Sequence, residues 1–301
     1  MFLSCYNHFM DYEIKKLSKE YFPEKLLEIP QPPKQIFVKG EIPNWDDTKF
    51  VTVIGSRKYT SYGKEVCEKI ISGLKGHNIT IISGLAVGID SIAHRSALKN
   101  NLKTIAVPGS GLDNSVIYPS INKSLAEEIV NSGGCLLSEF ENNFKATQWS
   151  FPQRNRIMAG LSDVILVIEA GEKSGTLITA RMGLDYNKEI AVVPASIFID
   201  GAKGSNKLLR QGAVPITCTD DLLEILGISS EKESGQKILL LENFSEEEKE
   251  ILLLLNEPLS RDEIAQKSLI PISELNSVIS LLEIKGVIKE VGGEICLVSS
   301  L

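Results

Sequence analysis

QWSFPQRNRIMAGLSDVILVIEAGEKSGTLITARMGLDYNKEIAVVP, residues 148–194, holds two apolar runs, 164–168 and 190–193, each too short for a helix and rich in β-branched residues. Between them a helical pattern over 177–186 opens at Ser174-Gly175-Thr176. Strand, Gly/Ser/Thr turn, helix and strand make one βαβ unit of a parallel sheet. The turn presents backbone N–H groups at a helix start, an arrangement suited to anions. Upstream, Arg154 and Arg156 flank Asn155 behind Phe151-Pro152. Guanidinium forks beside such a helix start point to a phosphate-bearing ligand, either a nucleotide or a polynucleotide.

Working outward, strand-like runs recur at 50–54, 79–82, 104–107, 135–137, 164–168, 190–193 and 214–217. Helical patterns fall over 62–75, 88–100, 120–131, 176–187 and 205–211. This alternation predicts an α/β fold with a doubly wound, mostly parallel sheet. Six of the strands run into small residues, such as Gly55-Ser56, Ser83-Gly84 and Pro108-Gly109-Ser110-Gly111. Ligands bind at that carboxyl edge in such sheets. The first turn, VIGSRKYTSYG, is not G-x-G-x-x-G, and no acidic residue closes the second strand, so the dinucleotide fingerprint fails. Arg57, in that turn, suits a phosphate clamp; alone it reads equally well as a solvated surface residue.

Catalytic constellations are sparse. Asp90 and His94 stand four apart on one helix and can pair, as a structural pair or at a ligand site. Glu139 and Glu169, near two strand ends, can form a carboxylate pair, but no nucleophile or metal ligand joins them. Trp149 and Phe151 are either base-stacking faces or core. No catalytic residue, cofactor or metal site is expected.

The chain of 301 residues, 43% hydrophobic, is long enough for two domains. From Gly227 onward it holds 7 basic and 14 acidic residues; of the totals of 32 and 39, that leaves 25 of each before it. A neutral body with an acidic tail domain argues against general nucleic-acid binding, so any such binding needs a local basic patch. Five scattered cysteines without C-x-x-C suggest free thiols in a reducing compartment. The start, MFLSCYNHFMDY, lacks the features of a signal peptide, and no run reaches membrane-spanning length. A soluble cytoplasmic protein is expected.

Four regions follow: an N-terminal arm at 1–49 with a helix over 11–21 and a strand over 36–38, a Rossmann-like domain at 50–227, a polar linker at 228–243, and a winged-helix domain at 244–301. The last has helices from Ser245 to Leu255, from Pro258-Leu259-Ser260 to Lys267, and over 273–285, then a hairpin turning at Gly292-Gly293. Its third helix carries one Lys and two Glu, so a protein-contact or packing role is favoured over reading DNA.

VIGSRKYTSYG (53–63), IISGLAVGIDSIAHRSAL (81–98), IAVPGSGLDNSVIYPSIN (105–122), LLSEF (136–140), FPQRNRIMAGLSDVILVIEA (151–170) and SGTLITARMGLDYNKEIAVVP (174–194) resemble the DNA-processing protein A (DprA/Smf) family in order and spacing. The resemblance covers about 20–226, and the winged helix is similar to a domain many members carry. It implies an extended Rossmann fold that dimerises, binds single-stranded DNA and helps load the RecA recombinase in natural transformation, without established catalysis. It places DNA-binding residues at Gly55, Ser56, Arg57, Phe151, Arg154, Asn155, Arg156, Ser174, Gly175 and Thr176. A basic pocket of Arg57, Arg154, Arg156 and Lys145 would hold a strand while the bulk stays neutral. The family's Pro-Pro-Gly segment is replaced by Glu141-Asn142-Asn143, which changes the loop bearing Lys145. The short arm leaves no room for the N-terminal helical domain of some members. A more distant resemblance, to phosphoribohydrolases of the lysine-decarboxylase-like type, supports an alternative enzyme reading. In that reading Gly171-Glu172-Lys173-Ser174-Gly175-Thr176 would hold a nucleotide phosphate.

Overall fold

A computed structural model describes residues 12–228, 244–255, 258–291 and 293–297. Residues 1–11, the linker from 229 onward and Gly292 of the expected hairpin turn lie outside the described residues. The chain forms two compact units dividing between residues 229 and 230.

The strands of the first unit are β1 (Lys15–Leu17), β2 (Ile36–Gly40), β3 (Lys49–Ile54), β4 (Ile79–Ser83), β5 (Lys103–Ala106), β6 (Cys135–Ser138), β7 (Val164–Val167), β8 (Glu189–Val192) and β9 (Val214–Pro215). They form one sheet in the order β1-β2-β6-β5-β4-β3-β7-β8-β9. From β6 to β9 every pairing is parallel; β1 and β2 add an antiparallel edge. The chain winds from β3 toward β6, then returns to β7 on the other flank of β3. That reversal leaves a crevice between β3 and β7 at the carboxyl edge, the topological switch point.

The period-2 alternation explains the layers. In β3, Phe50 and Ile54 enter one core while Val51 and Val53 enter the other. Helices α1 (Glu24–Leu27), α5 (Ser150–Leu161), α6 (Thr176–Asp185) and α7 (Lys203–Arg210) cover the first face. Helices α2 (Ser61–Gly73), α3 (Ile89–Lys99), α4 (Lys123–Asn131) and α8 (Thr219–Ile225) cover the second. This is the expected extended Rossmann-like architecture.

Two local expectations are corrected. The arm has no helix over its described residues 12–21: it forms β1 and a short 3-10 turn, Lys19–Tyr21. Ile14 and Leu17 pack into the cores on opposite sheet faces, a strand's parity, and Leu17 pairs with Ile36. The arm is thus part of the sheet. Helix α5, in turn, carries the Phe-Pro-x-Arg-Asn-Arg block. Pro152 disguised it, yet Pro152 sits in the first turn, where its missing N–H costs nothing. Residues 157–161 are buried all round, so no amphipathic stripe marked the helix.

The second unit contains α9 (Glu246–Leu254), β10 (Leu259–Ser260), α10 (Arg261–Lys267), α11 (Ile272–Ile284), β11 (Ile288–Val291) and β12 (Glu294–Leu297). Its sheet order is β10-β12-β11, a winged helix. Leu259-Ser260 pairs as a short strand with β12, and Ser260 then caps α10 through a reciprocal pair with Glu263, so the second helix opens at Ser260 and ends at Lys267 as expected.

Candidate nucleic-acid interface

The switch-point crevice is a pocket of about 630 Å³. The turn after β3 lines it with Gly55, Ser56, Arg57 and Lys58, and the turn after β7 with Gly171, Lys173, Ser174, Gly175 and Thr176. Helix α5 closes it with Phe151, Pro152, Arg154 and Asn155. All but two of the residues expected from the sequence therefore line one pocket.

The β3 turn is held by its neighbours. Thr176 Oγ1 donates to the Gly55 carbonyl at 3.1 Å, and the Ile89 amide donates to the Ser56 carbonyl at 3.2 Å. Ser56 Oγ accepts from the Lys58 amide and donates to the Lys58 carbonyl. Gly88 lets α3 approach: its φ is +91°, and a Cβ there would lie 2.4 Å from the Ser56 carbonyl oxygen. Arg57 and Lys58 remain exposed.

Arg57 lies over the Phe151 ring, Cζ to centroid 5.7 Å. Phe151 also meets Tyr118 at 5.7 Å between centroids. The Phe151 ring rests on Gly109, where a Cβ would lie 2.6 Å from the ring. Ser150 Oγ fixes the same junction, donating to the Gly109 carbonyl at 2.6 Å. Beyond it Trp149, 56% exposed, packs edge-on against Phe140 and Phe144. A cation with two rings, Arg57, Phe151 and Tyr118, and a second ring cluster ending in the exposed Trp149 thus stand beside the pocket, surfaces of the kind on which bases can stack. Tyr118 was missed in the sequence because its partner Phe151 stands 33 positions away and its own loop has no period.

The two arginines of α5 differ from expectation. Arg154 lines the pocket wall but is buried: Nη1 donates to the carbonyls of Gly84, at 2.5 Å, and Val107, and Nε donates to Asn155 Oδ1 at 3.1 Å. Burial lowers its pKa to about 10, so it stays charged at neutral pH. Asp90, also buried, accepts from the Gly84 amide at 3.1 Å. Burial raises its pKa, while Arg154, the Ala86 and Gly84 amides and Arg57 oppose the rise. Arg154 therefore braces the ends of β4 and β5.

Arg156 is outside the pocket lining. Two residues along a helix is a turn of about 200°, which aims it away. It pairs with Glu139 and donates to the Gln31 carbonyl, tying the arm to the body. Lys145 is exposed and also outside the lining. The expected group of four cations is thus corrected: Arg57 projects beside Lys58 and Lys173, Arg154 faces inward, and Arg156 and Lys145 stand elsewhere.

The helix start at Ser174-Gly175-Thr176 is also more occupied than expected. The Thr176 amide donates to Ser174 Oγ, and the Leu177 amide to the Ser174 carbonyl. Neither expected acidic pairing forms. Glu139 joins Arg156, and Glu169 holds Thr60. His94 Nδ1 lies 2.7 Å from Thr104 Oγ1, whose hydroxyl donates to the Ile81 carbonyl, so Nδ1 carries the proton. Burial lowers the His94 pKa to about 3.

The family model for DNA recombination-mediator protein A matches residues 14–227, and that for the DprA winged helix domain matches 241–294. The chain is 36% identical to Protein Smf of Escherichia coli (strain K12) over 222 residues, covering 74% of this chain and 59% of that protein. It is 41% identical to DNA processing protein DprA of Streptococcus pneumoniae (strain ATCC BAA-255 / R6) over 204 residues, covering 67% and 70%. It spans 55% of the length of Protein Smf from Synechocystis. Among solved structures, Helicobacter pylori DNA processing protein A, described for its single-stranded DNA binding mode, superposes with TM-score 0.65 and 31% identity, covering 72% of this chain and 96% of that one. The Streptococcus pneumoniae protein also gives 0.65, at 35% identity, covering 72% and 75%.

Proposed function

Because this chain belongs to the DNA recombination-mediator protein A family, we propose that it is a DNA-processing protein that binds single-stranded DNA at the switch-point pocket. It protects incoming strands in natural transformation and helps load the RecA recombinase. It works as a homodimer, is no enzyme, and acts in the cytoplasm; among the described residues no helix is long and apolar enough to cross a membrane. The observation that carries the reading is the exposed Arg57 guanidinium lying over Phe151 beside a pocket floored by glycine and hydroxyl groups. Phosphate oxygens would meet Arg57, Lys58 and Lys173 while bases stack on Phe151, Tyr118 and Trp149. None of these contacts reads a base edge, so sequence preference is weak. Two pockets of a dimer on one strand would multiply a modest single-site affinity.

The test is a fluorescence anisotropy titration of the whole chain with poly-dT and mixed-sequence oligonucleotides over a salt series. Similar affinities and a shallow slope, reflecting about three phosphates per site, are expected. Absence of binding at low salt, or strong preference for one sequence, would overturn the proposal.

A further inference from the structure

The turn bearing Arg57 begins at Gly55 and ends at Thr60, the cap of α2. Beneath its end lies Glu169, only 2% exposed, just past β7. Its Oε2 accepts from the Thr60 amide at 3.1 Å and from Thr60 Oγ1 at 2.9 Å. Thr60 Oγ1 itself accepts from the Gly63 amide at 3.0 Å, which already caps the helix. Glu169 Oε1 is buried with no hydrogen-bond partner among the described residues, beside Gly201 of the pocket lining. A half-satisfied buried carboxylate is expensive. Capping α2 does not need it, since Thr60 supplies that bond alone. What the carboxylate adds is a fixed Thr60 amide, hence a fixed end for the Arg57 turn, opposite the anchor Thr176 supplies at Gly55.

We propose that Glu169 is a positioning residue for single-stranded DNA binding: it clamps Thr60 so that the turn presents Arg57 over Phe151. The inference rests on the reading of the pocket given above. The clamp spans the same crevice, β3 to β7, that the strand would enter. Preorganisation of this kind raises affinity without a new contact to the ligand. Glu169 never touches DNA.

Its loss should therefore act through the cations of that turn, Arg57 above all. Poly-dT affinity is measured for Glu169→Ala, Glu169→Gln, Arg57→Ala and the Arg57→Ala/Glu169→Ala double variant, with amide exchange followed over residues 56–60. Glu169→Ala should weaken binding about tenfold and speed exchange at the Thr60 amide. Glu169→Gln, still able to accept both bonds, should stay within about twofold on both counts. The double variant should lose clearly less than the product of the two single losses, because a turn without Arg57 keeps only Lys58 to present. A merely structural role would give losses that multiply in the double variant, or weaker binding with unchanged exchange at 56–60; either overturns the proposal. If Glu169→Ala does not fold, Thr60→Val, which removes the hydroxyl from the same contact, takes its place in the cycle. Unaltered affinity in Arg57→Ala alone would sink the DNA reading of the pocket, while exchange would still decide whether Glu169 holds the turn.

Discussion

At the scale of single residues, two arginines that look alike in sequence do different work. Arg154 sits buried among carbonyls beside Asp90, so Arg154→Ala strands the Gly84 and Val107 carbonyls and takes from the buried Asp90 carboxyl the largest of the influences opposing its burial. Urea unfolding should show a loss of about 3–5 kcal/mol; a loss below about 1 kcal/mol would contradict the bracing role. His94 makes a pH prediction. Its folded pKa is depressed below the unfolded value, so its contribution is complete above about pH 6.5 and falls away as pH drops toward about 3. At pH 5 the loss from this residue is about 2 kcal/mol. Unfolding free energies at pH 7.5 and pH 5 should differ less in His94→Gln than in the native chain. An equal difference would show that His94 is not the titrating group.

At the scale of elements, legibility followed periodicity. The strands were readable because both sheet faces are covered, giving short β-branched runs, and helices such as α2 and α4 because one face alone is buried. Helix α5 was hidden by burial on all sides and by Pro152, and the arm's strand β1 by its brevity. Sequence order placed the turns of Arg57 and Ser174 at one carboxyl edge, but α5 decides which way Arg154 and Arg156 point, and no one-dimensional pattern records that. The same helix-level detail bears on chemistry. The Thr176 and Leu177 amides at the start of α6 are engaged within the turn, and Glu139 and Glu169 have separate partners. Incubation with nucleoside monophosphates, ATP or single-stranded DNA, with and without magnesium, should therefore give no turnover above background. Release of free base or phosphate would restore the phosphoribohydrolase reading.

At the scale of the whole molecule, we propose a protein-contact role for the winged helix. In it Lys285 meets Glu248 at 2.6 Å and Arg261 meets Glu290 at 2.9 Å, while Ile272 and Ile284 of α11 stand exposed. The net charge of −7 carried from Gly227 onward should repel a phosphate backbone within about 8–10 Å at physiological salt. Truncation after Gly227 should leave a folded body that binds poly-dT as well as the full chain, or slightly better at low salt. A tenfold loss, with fold and oligomeric state intact by circular dichroism and light scattering, would assign DNA contact to the tail domain. The central claim, that the pocket beside Arg57 holds the strand, is tested most directly by Arg57→Ala in the full chain, titrated with poly-dT and mixed oligonucleotides. Every affinity should fall by a similar factor, roughly tenfold to a hundredfold, the 1.5–3 kcal/mol of a lost charge-assisted contact. The unfolding midpoint should not move; unchanged affinity in a folded variant would contradict the account.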